Sequence, residues 1–367
     1  MDVRRVIAIA ALGTSVALMR GDSGPRVAAA GELSPSPADA HGISTMPADT
    51  TLPNDSTRKS SARSARTPTQ IEMRNVDFWV GEGVVLHIHR LRGSMRSHSD
   101  GPVLFDDPSS FTIRLVSAEV GMTGADLTTL LSKHVFAYPG APLKNLEVRI
   151  ENGQLVQTGK LHKGVWLSFK IQATVDVTPD GRIRIHPVHT KIMGLNGGAI
   201  MKAIGLHLSN VLNLSGSKGA VVDRNDIVID PARALPPPAV EGQLVGVRIE
   251  GDQMIQTFGK DPATIPALPV PDRNARNYMF YRGGSLRFGK LVMLDADMQI
   301  VDLDPSDPFE FNLARYINQL VPGYSKTLPD LGLEVFMKDI NDVGDARTTA
   351  RSAERTTKPT AASGRER

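Results

Sequence analysis

The residues best equipped for chemistry in this chain are a few of its histidines. His87-x-His89 puts two imidazoles on one face of a strand, which would supply the first two ligands of a metal site. No third ligand follows nearby, and Leu86, Ile88 and Leu91 mark the other face as core, so a packed or solvated strand face accounts better for the pair. His186 and His189, near Asp180, raise the same idea, but Pro187 is expected to break the strand between them. Lys160, His162 and Lys163 stand beside Trp166, where a lipid phosphate could meet them; a plain cationic turn is the simpler account. For acyl transfer the chain lacks G-x-S-x-G, and Ser215-Gly216-Ser217-Lys218 is only a fragment of an S-x-x-K motif. Its glycines form neither a P-loop nor a dinucleotide fingerprint. Asp302, Asp304 and Asp307 lack the glycine and terminal glutamate of a calcium loop. Without any cysteine there is no thiolate catalysis, no disulfide and no cysteine zinc site. These residues imply no cofactor, no metal and no enzyme.

The chain around them is long enough for a substantial core. Of its 367 residues 41% are apolar, but only 5% are aromatic. The net charge of +3 is small, and Arg and Lys crowd the two ends, so solvated basic tails explain it and nucleic acid is not an expected partner. Met1 to Arg5 and the apolar run Val6 to Met19 have signal-peptide length, with Ala28-Ala29-Ala30 as a small-residue cleavage site. The expected organisation is a signal peptide over residues 1–30 and a disordered linker over 31–70. An α+β domain follows over 71–260, then a β-rich extension packed on it over 261–340, and a disordered basic tail over 341–367.

One hairpin is written twice. Leu146 to Thr158 contains Val-Arg-Ile-Glu-Asn-Gly-Gln-Leu-Val-Gln-Thr, and Val245 to Thr257 contains Val-Arg-Ile-Glu-Gly-Asp-Gln-Met-Ile-Gln-Thr. Both alternate apolar and polar residues about a turn pair that tolerates positive φ. Further strands are expected over Asp77 to Arg92 (one strand bent at Gly81 and Gly83), Phe111 to Val120, Val165 to Val177 and Arg182 to Pro187, and another hairpin over Val221 to Ile229, turned by Arg224-Asn225-Asp226. A short helix is expected over Leu127 to Val135. A very apolar one is expected from Gly198 to Leu212, where Ile200, Met201, Ile204, Leu208 and Val211 share a face. Beyond Gly259, four prolines between Pro262 and Asp272 read as a strap, and Phe309 to Leu320 as an amphipathic helix. The expected fold is a long curved antiparallel sheet of repeated hairpins wrapped around the apolar helix.

From Ala118 to Gly259 the order is hairpin, strand, Thr178-Pro179-Asp180-Gly181-Arg182-Ile183-Arg184, a Gly-Leu helix, Asp226-Ile227-Val228-Ile229-Asp230-Pro231, Leu235-Pro236-Pro237-Pro238 and Val247-Arg248-Ile249-Glu250-Gly251-Asp252. This order resembles the exported phospholipid-binding proteins of the LmeA type, which are similar in outline to tubular lipid-binding domains. The resemblance implies an exported protein of the periplasm or cell envelope that binds a phospholipid or another apolar ligand, with peripheral membrane contact. The expected groove residues are Ile200, Met201, Ile204, Leu208, Val211, Trp166 and Phe169, with Lys160 and Lys163 near a headgroup. Burying ~16 methylenes at about 0.8 kcal/mol each gives roughly 13 kcal/mol, enough to offset association costs without any motif. The alternative is an envelope scaffold whose β-sheet core is filled.

Overall fold

The computed structural model describes residues 67–193, 200–202, 212–261 and 264–343. They form a β-rich α+β fold with largely antiparallel sheets. Strands β1 (Thr69–Val80) and β2 (Val84–Ser97) make a hairpin, where the sequence predicts one bent strand from Asp77 to Arg92. The turn belongs to Gly81 and Gly83, at φ +54° and +83°, a left-handed backbone that costs glycine nothing. After the two-residue β3 (Val103–Leu104) comes β4 (Phe111–Thr123). Its last residue, Thr123, caps helix α1 (Gly124–Leu130) through a capping box with Asp126, and one π-helical stretch (Leu131–Val135) continues it.

The first copy of the repeat is the hairpin β5 (Leu143–Glu151) and β6 (Gln154–Lys163), turned by Asn152 and Gly153 at φ +52° and +72°. With β7 (Val165–Val177), β8 (Ile183–Met193), β9 (Ile200–Lys202), β10 (Ala220–Asp223) and β11 (Asp226–Ile229) it builds a seven-stranded sheet of order β10-β11-β8-β7-β6-β5, with β9 on β8. Two expectations fail here. Pro187 does not break β8: the register shifts between Gln172 and Ala173 of β7, and the strand runs on past the proline. Ile200 and Met201 do not open a helix. They lie in β9, opposite Met193 and Ile192, where ladder hydrogen bonds outweigh the helical spacing of their apolar residues. Ile204, Leu208 and Val211 lie outside the described residues.

Helix α2 (Pro231–Ala234) leads into β12 (Ala239–Glu241), and the second copy of the repeat is β13 (Leu244–Glu250) with β14 (Gln253–Gly259). Then follow β15 (Tyr278–Arg282), β16 (Leu286–Phe288), β17 (Leu291–Met293), β18 (Asp297–Asp302), β19 (Phe309–Asn312), helix α3 (Tyr316–Leu320), β20 (Tyr324–Thr327) and β21 (Leu333–Met337). The eleven-stranded sheet has the order β13-β14-β4-β2-β1-β15-β18-β21-β20, with β12 beside β4 and β19 beside β1. Strands β15, β18, β19, β20 and β21 therefore extend the sheet that the first strands begin, while β16 and β17 pair with β3 in a separate three-stranded sheet. The predicted helix over Phe309 to Leu320 is a strand followed by a short helix. Phe309 and Phe311 alternate inward and are fully buried, and that two-residue period decides the backbone.

The proline-rich segment crosses the outer face of this sheet between β14 and β15. Glu72 on β1 holds it by accepting from the Leu268 amide (2.9 Å), while Arg92 bridges Glu72 (2.6 Å) and the Pro266 carbonyl (3.1 Å). Gln299 on β18, wholly buried, accepts from the Asp272 amide (2.7 Å) and donates to its carbonyl (3.0 Å). Several of the aromatic residues gather around Phe105. Phe105 meets the rings of Phe111, Tyr281, Phe288 and Tyr316 at centroid distances of 6.2, 5.4, 5.3 and 6.0 Å, and Phe311 stacks on Phe78 at 5.7 Å. Phe105 is 2% exposed, so Phe105→Ala leaves a cavity in a region that cannot collapse. Its unfolding free energy in urea is expected to fall by about 3–5 kcal/mol.

Candidate functional site

The seven-stranded sheet and the β4–β14 part of the larger sheet face each other across an apolar crevice. From the smaller sheet come Val148, Leu155, Gln157, Ile171, Ala173, Ile183, Ile185 and Ile229. The larger sheet contributes Met122, Met254 and Gln256, and the helical stretch after Thr123 closes one side with Leu127, Leu130 and Leu131. A second crevice continues over the face of β1, β2, β4 and β14, lined among others by Met73, Phe78, Ile88, Val120 and Phe258 and covered by Leu235, Pro236 and Pro238. Leu235 and Gln256 line both, so the two crevices adjoin.

Each crevice leaves space of about 50 Å³ for the centre of a water-sized sphere. At roughly 10–15 Å³ per water that is room for a few small groups, so an acyl chain needs the walls to adjust. Those walls are mainly aliphatic, and Met73, Met122 and Met254 are the residues best able to yield without losing contact. No lysine, arginine, aspartate or glutamate lines either crevice among the described residues.

The structure separates the residues that the sequence groups together. Phe169 is buried on the same face of β7 as Ile171, one step along the strand from the crevice, where its ring packs over Gly159 beside Leu146. Trp166 belongs to the opposite face of β7. Strand alternation turns it away from Ile171 and Ala173, and Lys144 lies over its ring at 3.8 Å with the His162 ring 4.8 Å away. It therefore lies outside both crevices. Lys160 is exposed on that same outer face, and Lys163 is exposed at the end of the β6–β7 hairpin. They have company: Lys144 stands opposite Lys160, and Lys170 on β7 stands opposite Lys191 on β8. Like charges directly opposite on a sheet are destabilising, and Lys144 is offset in part by the Trp166 ring beneath it.

Sequence reasoning missed Leu235, the crevice side of α1, and the pair Gln157 and Gln256. The pair was within reach, because the two residues occupy the same position in the two copies of the repeat and share a strand face with Leu155 and Met254.

The histidines do not gather. His186 pairs with Asp226 at 2.6 Å, and His89 lies 3.4 Å from Glu119, both histidines being exposed. A register shift between Ile88 and Arg90 leaves His89 outside the β2–β4 ladder, so the His87-x-His89 spacing does not make a pair of ligands. His87 is different, because both of its ring nitrogens are taken. Nδ1 lies 2.7 Å from Asp77 and Nε2 lies 3.1 Å from Asp126, and the ring is only 19% exposed. Burial alone would lower its pKa, but the hydrogen bonds and charges of Asp126 and Asp77 outweigh it and hold the imidazolium up to about 10. Asp126 is likewise buried, yet His87 and Thr123 hold its carboxyl below the usual range. An imidazolium bonded on both sides has no lone pair with which to take a proton, so the cluster is a clamp between β1, β2 and α1 rather than a general base.

Among the described residues no group of three or more histidine, aspartate or glutamate side chains is placed to hold a metal ion, and no helix is long and apolar enough to cross a membrane. No family model matches the chain, and neither a curated protein nor a solved structure is found similar to it.

The clamp gives stability a pH dependence with a definite sign. The folded pKa of His87 is above its unfolded value, so its contribution is complete below about pH 6.5 and is lost as pH rises towards 10. His87→Gln is expected to cost roughly 2 kcal/mol at pH 6, after allowance for solvent screening, and to flatten the decline between pH 6.5 and 10. Urea unfolding at several pH values measures both; a wild-type stability that stays level over that range would refute the clamp.

Proposed function

We propose that this protein binds or carries a phospholipid or another apolar ligand in the cell envelope, without catalysing a reaction, and that its two sheets hold the ligand in a tubular lipid-binding-like manner. The observation that carries this reading is the pair of adjoining apolar crevices between the sheet layers, free of charged lining residues among those described. Aliphatic and methionine walls suit a flexible hydrocarbon chain, and burial of each methylene favours binding by about 0.8 kcal/mol. The lysines of β5 to β8 support peripheral contact with an anionic lipid surface, since each basic residue near such a surface contributes about 1 kcal/mol. The apolar run from Val6 to Met19 supports export. The narrowness of the crevices favours the rival reading, a scaffold whose core is filled.

Native mass spectrometry of the purified protein, followed by organic extraction, separates the two. A co-purifying lipid that is lost in Ala173→Met, a substitution that fills the first crevice with an adaptable side chain, is the expected result. A clean apo mass that stays unchanged after incubation with envelope lipids would leave the scaffold. The lysine face has its own readout. Sedimentation with phosphatidylglycerol vesicles is expected to weaken as salt rises and to drop about fivefold for each of Lys160→Gln, Lys170→Gln and Lys191→Gln.

A further inference from the structure

The inner row of β14 reads Met254, Gln256, Phe258, and it runs from one crevice into the other. Gln256 is the residue at the junction. It is 5% exposed, and among the described residues its carboxamide has no hydrogen-bond partner. Its polar atoms are not closed off from a water-sized sphere, so the amide faces open crevice space in which a bound group can complete its hydrogen bonds. Gln157 lines the first crevice from the opposite sheet, on β6, and its carboxamide also lacks a partner among the described residues. The two glutamines hold equivalent positions in the two copies of the repeat, so the duplicated hairpin supplies one amide to each wall of an otherwise aliphatic space. Apolar packing alone would be served better by leucine or methionine at either position.

We infer that the ligand is an elongated apolar molecule with one uncharged hydrogen-bonding group within its length, an ester or amide carbonyl, which binds at Gln256 while its hydrocarbon arms occupy the two crevices. The inference rests on the proposed binding of an apolar ligand and names its chemical class. A carbonyl oxygen accepts from the carboxamide Nε2, and Gln157 offers a second donor from the facing sheet. A charged group is disfavoured at this position because, among the described residues, no cation or anion lines the crevices to compensate its desolvation. Charged headgroups therefore stay outside, and the amide reads the linkage between chains rather than the head.

The test compares two probes of matched length, octyl octanoate with its central ester and heptadecane without one. Each is delivered from cyclodextrin in radiolabelled form, and the fraction retained by the full chain through gel filtration is measured. The wild type is expected to hold octyl octanoate about tenfold more tightly than heptadecane. Gln256→Leu, and Gln256→Met as a second variant of different shape, are expected to abolish that preference while keeping heptadecane, with unfolding midpoints no lower than wild type. If heptadecane binds but the preference is absent or survives both substitutions, the role of Gln256 is overturned and apolar binding stands. If neither probe is retained by the wild type, both readings fall.

Discussion

A carboxylate taken out of water must have every lone pair answered, and Asp126 is the place where this structure meets that demand. It accepts from the amides of Thr123 (2.9 Å) and Val85 (3.3 Å), from the Thr123 hydroxyl, and from His87 Nε2 (3.1 Å). Those donors come from β4 and β2, while the carboxylate itself rides on α1. One charge therefore fixes the helix against two strands of the larger sheet, and through His87 it reaches Asp77 on β1. The position of Leu127, Leu130 and Leu131 over the crevice follows from that attachment. Removing Asp126 would leave the half-buried His87 imidazolium with Asp77 alone and release the helix from both strands.

The second organising feature is the division of apolar residues by kind. Rings are concentrated where β1, β15, β16, β19 and α3 meet, and they interlock at fixed geometry. Isoleucine, leucine, valine and methionine line the space between the sheets, with Phe78 and Phe258 the aromatic residues on its second half. Rigid planar groups pack to one arrangement, whereas unbranched and branched aliphatic chains can exchange rotamers at small cost.

How much of this was legible in the sequence depends on which period governed each stretch. Alternation of two marked the repeated hairpins, β4 and β7, because one face of each is buried and the other is not. It failed where two signals competed. Phe309 to Leu320 carries apolar residues at helical spacing, but the inward alternation of Phe309 and Phe311 beside β1 decided the first part. Ile200 and Met201 fit a helix face, yet an open edge on β8 recruited them. The crevice was harder to read, since its walls come from strands far apart in the chain and no single segment carries its pattern. Trp166 lies on the outer face for a related reason: an amphipathic ring satisfies either a groove or a cationic neighbour, and Lys144 sits on another strand.

The pairing of β1 has a consequence for how the chain reaches this state. One edge of β1 is closed at once by β2, but the other waits for β15 and β19, and the contact between Glu72 and Tyr278 spans 206 residues. Long-range pairings of this kind are slow to form, because loop closure must be met before the ladder repays it. Until the last third of the chain arrives, the opening strand presents unpaired amides and carbonyls to whatever lies nearby, which is the condition for misassembly between chains. A chain cut near residue 260 would keep that condition permanently, so the carboxyl-terminal strands act as the closing members of the sheet.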